Sequence, residues 1–297
     1  MAETMEKPRL SPEEAKAKKA ERRQKQREQN GLRAEKMHKA RLAYESELDI
    51  NTPAKLGGTP YHIGCSGWFY WDWKGLFYPE AMATSEWFGY YAKQFDTVEL
   101  NAPFYSWPTV ATVKSWRRKA EKPFVYTVKV SELITHVKQF QGTKTLIKDF
   151  GFIADLLGEQ MGCFLFQLPP SFHFSEARLS AIVEQLDPKR RNVVEFRHKS
   201  WWNEEVYEAF RENNIIFCSC SGPKLPDDVI KTADELYIRF HGTGKWYRHD
   251  YSSEELADWA RRIIKAKAKK AWIYFNNDYD GFAIKNAKEL LRLLEAK

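Results

Sequence analysis

Six short stretches of the chain end in side chains that can move protons or hold anions. In 97–101, Val98 and Leu100 alternate with Glu99 and Asn101, so an extended backbone there has one apolar face and one face carrying a carboxylate and an amide. The same alternation sets Lys129 between Val128 and Val130, Gln167 beyond Phe164 and Phe166, and Glu195 and Arg197 around Phe196. It also sets Arg239 and His241 around Phe240, and Asn276 after Ile273 and Phe275 with Asp278 just beyond. Carboxylates and an imidazole on one surface are the groups of general acid–base catalysis, which makes Glu99, Glu195 and His241 candidate catalytic residues. Guanidinium and ammonium groups fit phosphate or carboxylate oxygens, so Lys129, Arg197 and Arg239 are candidate anion holders. Buried ion pairs that merely neutralise one another would give the same pattern. They are costly to assemble and weak as a source of stability, which favours a site.

The elements that must position these groups are short β-rich runs at 61–66, 97–101, 124–130, 163–168, 192–197, 215–220, 236–241 and 271–276. Amphipathic segments separate them, at 85–94, 110–119, 143–157, 176–186, 204–213, 253–267 and 283–294, with only a short one at 226–230. Strand and helix alternating in this way over roughly 240 residues predict an α/β chain folded as a (β/α)8 TIM barrel. The competing doubly wound sheet would call for a glycine-rich phosphate loop after its first strand, and none is present. In a barrel the alternate faces point to the helices and to the interior, and the active site lies at the strand carboxyl ends.

Aromatic residues crowd the loops expected at that end, among them Trp68, Tyr70, Tyr105 and Trp201. They would stack on the flat parts of a ligand or pack the long loops onto the barrel mouth. His136 and His198 are placed to reach the same mouth. Cys218 and Cys220 share a strand face, where they would fill the core or, with further ligands, hold a metal. The inward set offers His241, Glu99 and Glu195 as ligands, so at most a single divalent metal is expected.

Residues 1–50 read differently, as a charged arm that is helical or disordered and almost free of large apolar side chains. Ser11-Pro12-Glu13-Glu14 has the cap, first-turn proline and capping-box acid of a helix start, and such a helix would break near Gly31. An arm without a core is expected to be dispensable for folding, as a mobile extension or as a tether for RNA or DNA. Residues 51–60, with Pro53, Gly57, Gly58 and Pro60, form a linker to the barrel at 61–297. The net charge of +7 suits an anionic or phosphate-bearing partner, although a large share of it lies in the arm. Neither a signal peptide nor an apolar span of membrane length appears, and the four cysteines lie in apolar runs. A cytoplasmic protein with no membrane partner is the expectation.

Several ordered motifs resemble the YecE-like proteins, also called domain of unknown function 72. They are Gly64-Cys65-Ser66-Gly67-Trp68 with Phe77-Tyr78-Pro79; Val98-Glu99-Leu100-Asn101 with Phe104-Tyr105; Ile134-Thr135-His136; and Gln167-Leu168-Pro169-Pro170. Glu195-Phe196-Arg197-His198 with Trp201, Arg239-Phe240-His241-Gly242 and Phe275-Asn276-Asn277-Asp278 complete the series. The resemblance implies a TIM barrel from about residue 61 onwards and leaves the activity open. The residues themselves favour an enzyme acting on a phosphate-bearing substrate such as a nucleotide or nucleic acid. A carbohydrate-active barrel using Glu99 and Glu195, or a non-catalytic barrel that binds an anion, are the alternatives.

Overall fold

Eight parallel strands form the body of the chain: β1 (Tyr61–Cys65), β2 (Thr97–Leu100), β3 (Val125–Lys129), β4 (Met161–Gln167), β5 (Asn192–Glu195), β6 (Ile215–Ser221), β7 (Glu235–Phe240) and β8 (Lys270–Phe275). The computed structural model describes residues 11–45, 60–120 and 124–296, so most of the expected linker lies outside the described residues. Hydrogen-bonded neighbours run β1-β8-β7-β6-β5-β4-β3-β2, a barrel closed everywhere except for the ladder between β1 and β2. A side chain bridges that seam. The Tyr91 hydroxyl accepts from the Cys65 amide at 2.8 Å and donates to the Thr97 carbonyl at 3.0 Å. Gly64 allows the approach, because a Cβ there would lie 2.3 Å from the Thr97 oxygen.

Around the barrel lie α2 (Trp87–Ala92), α3 (Ala102–Tyr105), α4 (Val110–Lys119), α5 (Lys144–Leu157), α6 (Glu176–Val183), α7 (Glu204–Glu212), α8 (Ser253–Lys265) and α9 (Phe282–Glu295). Side-chain caps at Thr109, Ser175, Asn203 and Ser252 fix where four of them start. The short helix expected at 226–230 is absent. That connection instead runs back along β6, held by Ile230 N to Ser219 Oγ at 2.9 Å and Phe217 N to Thr232 Oγ1 at 2.8 Å.

The face assignment follows the alternation. Val98, Leu100, Val128, Phe164, Phe166, Val194, Phe196, Ile238, Phe240, Ile273 and Phe275 join the large core between strands and helices. Val125, Cys163, Leu165, Val193, Ile216, Cys218, Tyr237, Trp272 and Tyr274 form a second core inside the barrel. Gly162 leaves room for Trp272, whose ring would lie 3.1 Å from a Cβ there. With its lower interior filled, the barrel presents its charged layer at the carboxyl end of the strands.

The arm departs from expectation. Helix α1 (Pro12–Glu45) starts at the anticipated capping box, with Ser11 N to Glu14 Oε2 at 2.8 Å and Glu14 N to Ser11 Oγ at 3.2 Å, but it runs through Gly31 unbroken. Its second half is docked on the barrel, burying Asn30, Ala34, Met37 and Arg41. Arg41 Nε pairs with the buried Asp149 at 2.8 Å, and His38 Nδ1 meets the same carboxylate at 2.9 Å. Asn30 donates to the Tyr105 carbonyl and accepts from the Trp107 amide, both at 2.9 Å. Four residues on one helical stripe thus supply the contact that an average over the arm's composition conceals. No described helix is long and apolar enough to cross a membrane.

Candidate functional site

At the carboxyl end of the strands the charged residues meet in one chain of ion pairs. Arg239, from β7, is only 1% exposed and lies between two buried carboxylates: Nη1 donates to Glu195 Oε2 and Nη2 to Glu99 Oε1, each at 2.5 Å. Ser66, at the end of β1, donates to Glu99 Oε1 at 2.8 Å, and the Tyr237 hydroxyl donates to Glu99 Oε2 at 2.5 Å. Arg197 Nε closes on Glu195 Oε1, and Arg197 Nη2 lies 3.1 Å from His241 Nε2. A guanidinium has only donors, so Nε2 accepts from Arg197, while Nδ1 lies 3.2 Å from the Asn276 side-chain nitrogen. The Arg197 guanidinium rests over the Trp246 ring at 4.5 Å.

The electrostatics separate frame from titrating groups. Burial alone would raise Glu195, but Arg197 and Arg239 hold it well below the usual carboxylate range. Burial and the same two guanidinium groups hold His241 well below the usual imidazole range, so it is neutral. Two other groups are brought toward neutrality. Burial lowers Lys129 to about 7, helped by Arg239 and Arg197, and burial raises Asp278 to about 7. The Tyr70 hydroxyl, which stands beside Asp278, gives its proton to the Ser66 carbonyl at 2.6 Å. Lys129 Nζ lies 4.1 Å above the centre of the Phe104 ring, and among the described residues it has no hydrogen-bonding or ion-pair partner. His136, carried on a π-helical turn (Leu133–Val137), abuts the same ring and is lowered to about 4 by burial, Lys129 and Arg23.

Other expected residues make contacts within the protein, near the ion-pair chain or elsewhere. Asn101 donates to the Ser66 carbonyl at 3.0 Å, and Gln167 turns its amide back to the Leu168 carbonyl at 2.7 Å. Tyr105 is 54% exposed and packs on Phe104. Three residues correct the expectation. Trp68 packs against Phe88 in a groove of about 420 Å³ between α2 and α4, on the outer side of the barrel. Trp201 is wholly buried, stacked on Phe196 at 4.0 Å, with its Nε1 on the Phe172 carbonyl. His198 caps a short 3-10 turn through Ser200 and stacks on His173 at 3.9 Å, apart from the ion-pair chain. The mouth aromatics Phe104 and Trp246 belong to the cluster as well, and so do Ser66 and Tyr237. Tyr237 shares its parity with Arg239 and His241, the signal that would have included it.

Among the described residues, Glu195, Cys218 and Cys220 have ligand atoms within 4.8 Å of one another and could hold a metal ion. Both Glu195 oxygens are engaged by arginines whose charge opposes a cation, and burial holds the Cys218 thiol well above its usual range. The donor set fits a metal poorly, and the 3.7 Å contact between the two sulfurs is interior packing.

The family model described as "Protein of unknown function DUF72" matches residues 62–297. A curated relative, UPF0759 protein YunF of Bacillus subtilis, is 25% identical over 270 residues, covering 79% of this chain and 94% of its own length. A DUF72 family protein of Thermotoga maritima is 32% identical, with a TM-score of 0.73 over 80% of this chain and all of that one. A second such structure, from Enterococcus faecalis, is 19% identical, with a TM-score of 0.69 over 79% of this chain and 95% of its own, and bears on the fold alone.

Proposed function

This chain belongs to the DUF72 family, and on that premise and the geometry of the mouth we propose that it is an enzyme whose substrate carries a phosphate group. The observation that carries the reading is the charge of the mouth. Glu99 and Glu195 are matched by Arg239 and Arg197, which leaves Lys129 and the outer edge of Arg197 without an anion among the described residues. Arg239 has both terminal nitrogens committed to carboxylates, so it braces the site, and Arg197, lying on Trp246, is the phosphate holder. Asp278 and Lys129, which titrate near neutrality, are the acid–base groups, while Glu195 and His241 orient Arg197. The carbohydrate reading lacks support, because Arg239 occupies the space between Glu99 and Glu195 that a glycosidic bond would take.

The exposed half of α1 favours a substrate that is a nucleic acid strand. Arg23 and Arg27 reach toward Glu132 at 3.8 and 3.5 Å, just beyond β3, which brings a basic helix face beside the mouth.

Thermal shift with inorganic phosphate, nucleotides and neutral sugars tests the reading, since a ligand of the folded state raises the melting temperature. Phosphate-bearing compounds should stabilise the parent and not a folded Arg197→Met variant. Equal stabilisation of both would remove Arg197 from the role, and stabilisation by neutral sugars alone would remove the phosphate.

A further inference from the structure

One group at the mouth has surroundings that anion binding alone does not call for. A lysine meant to hold phosphate is kept protonated, usually by a carboxylate within reach. Lys129 has none at ion-pair distance among the described residues. It is nine-tenths buried at the end of β3, with Nζ over the Phe104 face, and the groups around it are Arg239 and Arg197, the already paired Glu195 and Glu99, and His136.

We propose that Lys129 is a covalent, imine-forming nucleophile and that the substrate is an aldehyde or ketone that also bears a phosphate group. The proposal rests on the phosphate reading above for the anion and goes beyond it in naming the reacting carbonyl. Desolvation and neighbouring cations are what convert a lysine into a neutral amine in imine-forming sites, and both act on Lys129, bringing it to about 7.

The step balances within the site. The amine lone pair forms a bond to the carbonyl carbon, and the carbonyl π pair moves to oxygen. That oxygen takes up one proton released by the nitrogen and one from Asp278, then leaves as water while the nitrogen lone pair completes the C=N bond of a protonated imine. Asp278, which shares Arg239 and Glu99 as neighbours with Lys129, holds a carboxyl proton up to about pH 7. No oxidant or reductant enters. Arg197 anchors the phosphate, so that the carbonyl is delivered to the amine.

Glycolaldehyde phosphate with sodium borohydride is the probe, because borohydride reduces an imine to a stable secondary amine that peptide mapping by mass spectrometry locates. A single adduct at Lys129 is expected, forming at least about tenfold faster than at any other lysine, rising through neutral pH and competed by inorganic phosphate. Glycolaldehyde itself should label Lys129 more slowly. Labelling spread over surface lysines, with inorganic phosphate still raising the melting temperature, overturns the imine and leaves the phosphate reading standing. Fast labelling of Lys129 by both aldehydes, with no effect of inorganic phosphate, keeps the imine and overturns the phosphate. Lys129→Arg should lose the adduct and keep phosphate binding; if that variant does not fold, the mapping on the parent decides.

Discussion

Arg239 is the side chain whose removal the mouth should tolerate least. It is 1% exposed and bonds two carboxylates that are themselves wholly buried, so Arg239→Met leaves Glu99 without its guanidinium and Glu195 with Arg197 alone. Leaving a buried charge unpaired costs about 3–5 kcal/mol, and urea unfolding should show a loss of that order. A loss under about 1 kcal/mol would mean that the pairs are solvated or the carboxylates protonated. The two titrating residues give a pH signature. Asp278 is raised to about 7, so below that pH the folded state keeps a proton that the unfolded chain has released, and stability falls as pH rises from about 4 to 7. Lys129 is lowered to about 7, so above it the unfolded chain holds the extra proton, and stability rises from about 7 to 10. Each slope is at most about 1.4 kcal/mol per pH unit. Asp278→Asn should flatten the first limb and Lys129→Met the second; unfolding curves at acidic, neutral and alkaline pH that leave both limbs intact in the variants would place the titrations elsewhere. The alternation of strand residues revealed which face Glu99, Glu195, Arg197, Arg239 and His241 share. It could not reveal that Arg239 divides its fork between two acids, because parity fixes a direction and not a partner. Trp68, Trp201 and His198 lie in loops, where no period indicates direction, and there the reading failed.

At the scale of elements, α1 is where composition misleads. Asn30, Ala34, Met37 and Arg41 are spaced as one helical face, yet only Met37 is large and apolar, so the docking stripe is hidden among charges. The contact is stabilised as much by buried polar groups as by apolar area, since Asn30 satisfies the Trp107 amide and Arg41 the Asp149 carboxylate. Met37→Ala should therefore cost about 2 kcal/mol or more, whereas Lys18→Ala, on the exposed half, should stay within about 0.5 kcal/mol. Equal midpoints in denaturant for the two variants would show that the helix does not rest on the barrel in solution. The strands and most of the barrel helices, by contrast, were readable to within three residues, because period two and strong caps mark them. The seam between β1 and β2 was not. A tyrosine hydroxyl replaces ladder bonds there, and neither Tyr91 nor Gly64 announces that task in sequence.

Over the whole molecule, the basic face of α1 begins beside the barrel mouth. Counted back from the docked stripe, Arg27, Arg23, Lys19 and Lys16 continue the same three- and four-residue spacing as Arg41, Met37, Ala34 and Asn30, so the face that rests on the barrel becomes a basic face where the helix projects into solvent. Arg23 and Arg27 lie near Glu132, and Arg23 is close enough to His136 to affect its titration, which sets the start of that basic face at the edge of the mouth. If Arg197 holds a phosphate as proposed, the further cations of α1 suit a strand of linked phosphates better than a single one. A short oligothymidylate should bind more tightly than thymidine monophosphate to the full chain, with a steeper loss of affinity as salt rises. Replacing Lys16, Lys19 and Arg23 together by Gln should lower the magnitude of the log K against log salt slope by about 2, at roughly 0.7 per cation for a single strand, while binding of the monophosphate stays unchanged. Lys16 and Lys19 are exposed, and the buried Glu132 keeps Arg27 at 3.5 Å when Arg23 is replaced, so the variant should melt close to the parent. If oligomer and monomer bind the parent alike, or if the slope survives the triple replacement, the projecting helix is a solvated face and the mouth takes a small molecule.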